Sequence, residues 1–248
     1  ILDLSKIEAG RMEIQRTPVN LATLFAELYD IFSIGADAKG LTLSLSASDE
    51  MPSRLLLDKV RMRQVLFNLI GNAVKYTAKG GVKVLATATP SDLSGHWNLT
   101  IDVSDTGPGI APEAQDDIFK SFRQHFSTTT PQTEGTGLGL PISKNLVEIM
   151  GGGIDLISNP GQGSVFTICL PGVREPESTG RDMEADALDS DNELQIAFEP
   201  ATVLVADDLE INRQLIIEVL RNAPLTILEA TNGQEAIDQA KSKQPDII

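Results

Sequence analysis

Apolar residues recur along this chain at two spacings, and the changes between them divide it into elements. Leu4 and Ile7 are spaced as on the last turns of a helix that stops at Gly10. Met12–Thr17 alternates as a short strand does. Asn20 then precedes Leu21, Leu24, Phe25, Leu28 and Phe32, a capped helix with one apolar face. Leu41, Leu43 and Leu45 share one face of a strand, and Leu55–Leu57 forms another. Asp58 is placed to cap a long helix from Lys59 to about Tyr76, and Lys79-Gly80-Gly81 turns the chain into strands over 82–89 and 97–104. Residues 105–136 are rich in Gly, Pro, Ser and Thr and read as a long loop with one short helical piece. The spacing predicts a helix over 137–150, stopped by Gly151-Gly152-Gly153. A closing hairpin of 154–157 and 164–170 follows around Pro160-Gly161. These elements predict an α+β fold, a two-layer sandwich with helices on one face of a sheet.

The chain has 248 residues, of which 41% are hydrophobic and 22% charged, ordinary values for a globular protein. No run of eighteen apolar residues is present, so no membrane span is expected. The first residues, Ile1-Leu2, and the last, Ile247-Ile248, suggest a piece of a longer protein, whose anchor or sensor would lie upstream. The single cysteine, Cys169, has no internal partner, which fits a reducing, cytoplasmic setting. Its strand context predicts a buried structural thiol. The parent protein could still be held at the inner membrane. A net charge of −15 argues against non-specific nucleic-acid binding. That charge is uneven: residues 173–200 carry nine acids and two bases, are poor in apolar residues and are bracketed by prolines. This block reads as an acidic linker between a main domain and a shorter C-terminal piece.

Four features between residues 68 and 140 carry candidate chemistry. Asn68, Asn72 and Lys75 lie on one face of the long helix, beside Val65, Leu66, Leu69, Ile70 and Val74. Amide oxygens are hard ligands for Mg2+, and a lysine offsets phosphate charge. The same stripe would also suit a solvent-facing side. Asp105-Thr106-Gly107-Pro108-Gly109-Ile110 follows an apolar strand. A carboxylate there can accept from an exocyclic amine such as adenine's, and glycines let backbone approach closely. An ordinary turn would fit as well. Gly135-Thr136-Gly137-Leu138-Gly139-Leu140 leads into a helix, as a phosphate-contacting loop does. Ile118-Phe119-Lys120-Ser121-Phe122 lies between the glycine motifs and could anchor a hinged cover, or simply pack.

In order and spacing, these motifs resemble the ATP-binding domain of histidine kinases, in the superfamily shared with type II topoisomerases, mismatch-repair ATPases and heat-shock chaperones. RQVLFNLIGNAVKYT resembles the N box, DTGPGI the first glycine box, IFKSF the phenylalanine box and EGTGLGLPISKNLVEIMGG the second glycine box. ISNPGQGSVFTICLP resembles the closing hairpin, and the likeness runs over residues 20–171. The resemblance implies ATP and Mg2+ as cofactors. It implies Asn72 as metal ligand, Asn68 supporting metal and phosphates, Lys75 on phosphate and Tyr76 against base or ribose. It further implies Asp105 on the adenine amine, with Gly107, Gly109, Ile110 and Phe119 around the base. Gly135, Thr136, Gly137, Leu138 and Gly139 would shape the lid and phosphate contacts. A basic residue common in the lid of hybrid kinases is replaced here by Ser127-Thr128-Thr129-Thr130, which leaves Lys120 and Arg123, with His125 beside them, as the lid cations.

ILDLSKIEAGRMEI resembles the end of a dimerisation and histidine-phosphotransfer helix, and ATVLVADDLEINRQLIIEVL the start of a receiver domain. The resemblance thus divides the chain into 1–11, the helix end; 12–172, the catalytic domain; 173–200, the linker; and 201–248, an incomplete flavodoxin-like receiver. In the receiver, strand 203–206 would deliver Asp207 and Asp208 to a sheet edge suited to Mg2+. Strand 226–230, helix 233–243 and the start of a third strand at Pro245 would follow. The implied reaction is γ-phosphoryl transfer to a histidine, with Asn68, Lys75, Lys120 and Arg123 positioning and neutralising charge. The implied partners are a dimerisation domain bearing the acceptor histidine, a receiver domain and a second copy of the parent. His96 and His125 lack the expected helical setting of an acceptor. Two other readings compete: an ATP-binding scaffold with little activity, and an ATP hydrolase of the same superfamily. The related hydrolases place a glutamate where Asn68 stands, and an amide cannot take a proton from water at neutral pH.

Overall fold

The computed structural model describes residues 12–115, 117–120, 139–176, 199–207, 213, 216–217, 220 and 223–248. The chain divides into two compact units, residues 1–176 and 177–248. The expected helix end at 1–10 lies outside the described residues.

The first unit runs β1 (Thr17–Val19), α1 (Leu21–Ala38), β2 (Thr42–Ala47), β3 (Leu55–Leu57), α2 (Lys59–Tyr76), β4 (Gly81–Pro90), β5 (His96–Asp105), α3 (Pro112–Gln115), α4 (Gly139–Ile149), β6 (Gly153–Ser158) and β7 (Ser164–Arg174). Five strands form one sheet in the order β2-β4-β5-β7-β6. Only β2 and β4 run parallel; the other neighbours are antiparallel. Helices α1, α2 and α4 cover one face. Leu24, Phe25, Leu28 and Phe32 of α1 meet Leu66, Leu69 and Ile70 of α2, Leu146 and Val147 of α4, and the inward rows Val82-Val84-Ala86, Leu99-Ile101-Val103 and Phe166-Ile168-Leu170. Each such aliphatic or aromatic side chain contributes about 1.5–3 kcal/mol when fully buried. This is the α+β sandwich the sequence pattern predicts.

Both helix caps read from the sequence are present. Asn20 Oδ1 accepts from the N–H groups of Ala22 and Thr23, and Asp58 Oδ1 from that of Arg61 at 3.0 Å. Asp58 does more than cap. Its Oδ2 accepts from Gln15 N at 2.9 Å, a bond that takes the place of a strand ladder. Here the structure departs from the expected strand over 12–17. Strand β1 covers only Thr17–Val19, because its partner β3 has three residues before the cap of α2 begins. Met12 and Ile14 still pack against the core.

Cys169 also departs from the expected buried thiol. Phe166, Ile168 and Leu170 point into the core, so Cys169 lies on the opposite face of β7 and is half-buried. Burial pushes its thiol above the usual range, helped by the charges of Asp155 and Asp102. A protonated thiol is a poor nucleophile. Strand β7 also runs on to Arg174, where it pairs with His96, past the expected hairpin end at 170.

In the second unit, β8 (Ala201–Ala206) and β9 (Leu225–Ala230) pair in parallel, and α5 (Gly233–Lys243) follows. Ile247 bridges Val203 in parallel, so a third strand begins beside β8. Asn232 caps α5 at Glu235 N, while the Glu235 carboxylate reaches back past the cap to accept from Thr231 N at 2.8 Å. No helix among the described residues is long and apolar enough to cross a membrane.

Candidate functional site

Seven residues of α2, from Met62 to Val74, turn into the core. Asn68, Asn72 and Lys75 therefore run along the half-buried rim of that helix. Asn68 Nδ2 donates to Ser143 Oγ at 2.8 Å, and Ser143 is buried on α4. Asn72 Nδ2 donates to Asn68 Oδ1 at 3.4 Å, a long bond in which the Asn72 oxygen takes no part. A Cβ at Gly139, the first residue of α4, would collide with Asn68 Oδ1. The asparagine pair is thus drawn against the N-terminus of α4, where unpaired N–H groups and the helix dipole favour anions. A simply solvated stripe does not describe this arrangement.

Further along α2, the Lys75 ammonium lies 5.5 Å from the Tyr76 ring centroid. Lys39, after α1, donates to the carbonyls of Val74 at 2.8 Å and Lys75 at 2.7 Å, which satisfies the end of α2 with a cation. Burial pushes the Tyr76 phenol up, so it stays neutral at pH 7.

Asp105 ends β5 beside the close of α2. Its Oδ1 accepts from Gly107 N at 2.7 Å. A Cβ on Gly107 would sit 2.7 Å from that oxygen and 3.4 Å from both Thr77 Oγ1 and the Tyr76 carbonyl. Thr106 pins the turn before β4, accepting from Gly81 N and donating to the Lys79 carbonyl, each at 2.9 Å. Burial pushes the Asp105 carboxyl above the ordinary carboxylate range; hydrogen bonds from Gly107 N–H and from Ser164 backbone and hydroxyl partly offset this.

The two glycines of the turn have different reasons. Gly107 has no Cβ to crowd the Asp105 carboxylate. Gly109 has φ 68°, and its missing Cβ is filled by the Asn159 carbonyl of the β6–β7 turn. Gly109 therefore serves the docking of two backbones. Ile110 N donates to Ser158 Oγ at 2.8 Å, Ser158 Oγ to the Gly163 carbonyl at 2.9 Å, and Gln115 Nε2 to the carbonyls of Ile110 and Ser158 at 2.9 Å each. The first glycine motif and the hairpin are one hydrogen-bonded body.

Phe119 meets Phe166 edge-on at 6.3 Å, with the Lys144 ammonium 5.3 Å from its ring centroid. It packs against the core, the bland alternative for this motif. Lys120 pairs with Asp117 at 2.6 Å on the exposed surface. Phe122, Arg123, His125, Gly135, Thr136, Gly137 and Leu138 lie outside the described residues. The helix expected from 137 is described from Gly139. His96 begins β5, with Nδ1 3.0 Å from the Ser94 carbonyl. In the second unit Asp207 follows β8 directly; its N–H bonds the Ala230 carbonyl, and its own carbonyl accepts from Arg213 Nη1 at 3.0 Å. Asp208 lies outside the described residues. Among the described residues no group of three or more His, Cys, Asp and Glu gathers as a metal cage.

Sequence reasoning missed Thr77, Ser143, Ser158, Ser164 and Lys144. Ser143 left a signal, as a hydroxyl in the apolar stripe of Pro141, Leu146 and Val147. Lys144 was legible as a cation just after the second glycine motif. The two hairpin serines reach their partners only through long-range packing. Together the site offers a carboxylate acceptor in a poorly hydrated corner, amide oxygens on a helix rim and a glycine-led helix N-terminus. That set suits a ligand with an aminated ring at one end and anionic groups at the other.

The family profile described as histidine kinase-, DNA gyrase B-, and HSP90-like ATPase matches residues 57–174. An autoinducer 2 sensor kinase/phosphatase, LuxQ, of Vibrio parahaemolyticus is 33% identical over 251 residues, covering 100% of this chain and 29% of that protein. The aerobic respiration control sensor protein ArcB of Escherichia coli is 31% identical over 251 residues, covering 100% and 30%. Among solved structures, full-length ShkA in complex with AMPPNP superposes with a TM-score of 0.59 at 28% identity, covering 96% of this chain and 45% of that one. The Acinetobacter baumannii histidine kinase AdeS gives 0.53 at 27%, covering 69% and 74%. The chain spans about three-tenths of the length of the two curated relatives.

Proposed function

We infer that this chain, which belongs through residues 57–174 to the histidine kinase-, DNA gyrase B- and HSP90-like ATPase family, is the ATP-binding catalytic part of a hybrid sensor histidine kinase. It positions Mg-ATP so that the γ-phosphoryl group passes to a histidine of a separate helical domain, for relay to a receiver aspartate. The observation that carries this reading is the junction of Asn68 and Asn72 with Gly139 at the head of α4, on the same helix whose end lies beside Asp105.

In this reading Asp105 accepts from the adenine amine, Gly107 keeps the approach open and Tyr76 lies along the base or ribose. Asn68 and Lys75 hold the phosphates with the N-terminal amides of α4, and Asn72 offers its amide oxygen to Mg2+. The donor set fits that ion, which prefers a few hard oxygens and keeps phosphates and waters as its other ligands. When bound, the ion offsets phosphate charge. The protein's own contribution is position: the polar rim of α2 is fixed by seven buried neighbours, and Asn68 by Ser143. Lys120 and Arg123 complete the proposal as lid cations, with Gly135, Thr136, Gly137 and Leu138 in the lid. Asn68 also favours kinase over hydrolase, since an amide is no base for water.

The proposed organisation is a phosphotransfer helix end at 1–11, the catalytic domain at 12–172, an acidic linker at 173–200 and part of a receiver at 201–248. Two parallel strands with a third beginning at Ile247 support the last assignment, with Asp207 and Asp208 as its metal-binding pair. The parent is proposed to act as a homodimer on the cytoplasmic side. The test is labelling with γ-32P-ATP. The chain alone is expected to stay unlabelled. Added dimerisation domain carrying the acceptor histidine is expected to gain acid-labile phosphate. Label on His96 or His125, or phosphate released at the same rate with and without the acceptor, would reject this reading.

A further inference from the structure

Helix α2 ends at Tyr76, and the carbonyls of a helix's last turn have no partner within the helix. Thr77 N–H satisfies the first of them, the Ala73 carbonyl, at 3.0 Å. With φ −82° and ψ 125°, Thr77 then leads the chain away extended, without the left-handed residue that closes many helices. Lys39 takes the next two. Its ammonium donates to the Val74 carbonyl at 2.8 Å and the Lys75 carbonyl at 2.7 Å. The lysine is presented from a fixed point, the C-cap of α1. That helix does close in the left-handed way: Gly40 has φ 67°, Gly40 N donates to the Asp37 carbonyl and Leu41 N to the Ala36 carbonyl, each at 2.9 Å. Leu41 is buried, which anchors the turn.

The two carbonyls that Lys39 holds belong to the peptide units on either side of Lys75. The backbone of Lys75 is therefore gripped from both sides, and that of Tyr76 from its N-terminal side. The charge acts at the same place. The C-terminal end of a helix is its negative pole, the wrong pole for a ligand that carries phosphates, and an ammonium there offsets it.

We propose that Lys39 is a positioning residue of the nucleotide site: it fixes the peptide units around Lys75 and offsets the negative pole of α2, so that Lys75 and Tyr76 meet an anionic nucleotide from a set backbone. This rests on the nucleotide reading above. Lys39 does not itself touch the ligand; it acts through Lys75 and Tyr76.

The test is calorimetric titration of the full chain with ADP, alongside thermal unfolding. Lys39→Met keeps the apolar stem and removes the donors and the charge. It is expected to weaken ADP about three- to tenfold. Lys39→Arg, which can still donate to both carbonyls, is expected to stay within about twofold of the parent. In a Lys75→Ala/Tyr76→Ala background, Lys39→Met should add nothing to the loss of ADP affinity, while it still lowers the melting temperature. Should Lys39→Met not fold, Lys39→Gln, which keeps donors and loses the charge, is read by the same criteria. ADP affinity in Lys39→Met equal to the parent's, while Asp105→Asn weakens it, overturns the proposal and leaves the nucleotide site standing; the lysine would then serve the helix end alone. An equal loss of ADP affinity with and without Lys75 and Tyr76 also overturns it, because the lysine would then act on the ligand itself or on the fold at large. If Asp105→Asn too leaves ADP affinity unchanged, or the parent binds no ADP, the nucleotide reading falls and the proposal with it.

Discussion

Asn68 on α2 donates to Ser143 on α4 at 2.8 Å, and this bond joins the helix bearing the proposed metal ligand to the helix that opens with the second glycine motif. With its nitrogen engaged, the Asn68 amide has one orientation, oxygen towards Asn72 and Gly139. Ser143→Ala removes the acceptor and leaves a half-buried N–H to find another. The expected cost is roughly 1–3 kcal/mol of stability, with Mg-ATP affinity weakened as the amide rotates. Urea unfolding and nucleotide titration of the same variant check both; a variant matching the parent in each would mean the bond is incidental.

Gly109→Ala tests the junction of the first glycine motif with the β6–β7 hairpin. The glycine has φ 68°, and an added Cβ would meet the Asn159 carbonyl, which is backbone and cannot swing aside. Left-handed strain and displacement of the hairpin should together cost about 2–4 kcal/mol. Gly161→Ala is the control: it shares the positive φ, at 78°, but its Cβ meets nothing within 4 Å. Its loss should be nearer 1 kcal/mol, the strain alone. Equal melting temperatures for the two variants would contradict the steric account.

What could be read from the sequence was local. Helix α2 runs over the span expected, Lys59–Tyr76, because its cap, Asp58, and its apolar stripe lie within the segment itself. Helix α5 matches for the same reason. The length of strand β1 is not legible locally, because it is set by β3 and by Asp58, some forty residues away. For Cys169 the signal is local: alternation with Phe166, Ile168 and Leu170 puts it on the outer face, not in the core. In the proposed site, the motifs single out Asn68, Asn72 and Asp105, but not the partners that orient them. Ser143 and Ser164 reach those residues only after α4 and β7 have packed, and no local spacing encodes that.

Asp105 provides a pH test. Burial raises its folded pKa above the unfolded value of about 3.9, so folding favours the protonated acid. The stability it contributes is fully present below the unfolded pKa and is lost as pH rises through the raised folded one. At neutral pH the ligand-free parent carries the cost of a partly desolvated charge. Asp105→Asn removes that cost and keeps an oxygen for Gly107 N–H. The variant should be as stable as the parent or more so at pH 7, with the difference shrinking as pH falls through that window. A variant less stable at pH 7 and equal at low pH would show that the charge stabilises the fold.

Calorimetric titration of the full chain with ATP, in the presence and absence of Mg2+, tests the central claim most directly. The parent is expected to bind ATP at one site, more tightly with Mg2+. Asp105→Ala should lose about 1.5–3 kcal/mol, one charge-assisted hydrogen bond to the adenine amine, under both conditions. Asn72→Ala should lose affinity chiefly when Mg2+ is present. Unchanged ATP affinity in Asp105→Ala would contradict the assignment of this corner to adenine, and no binding by the folded parent would contradict the account as a whole.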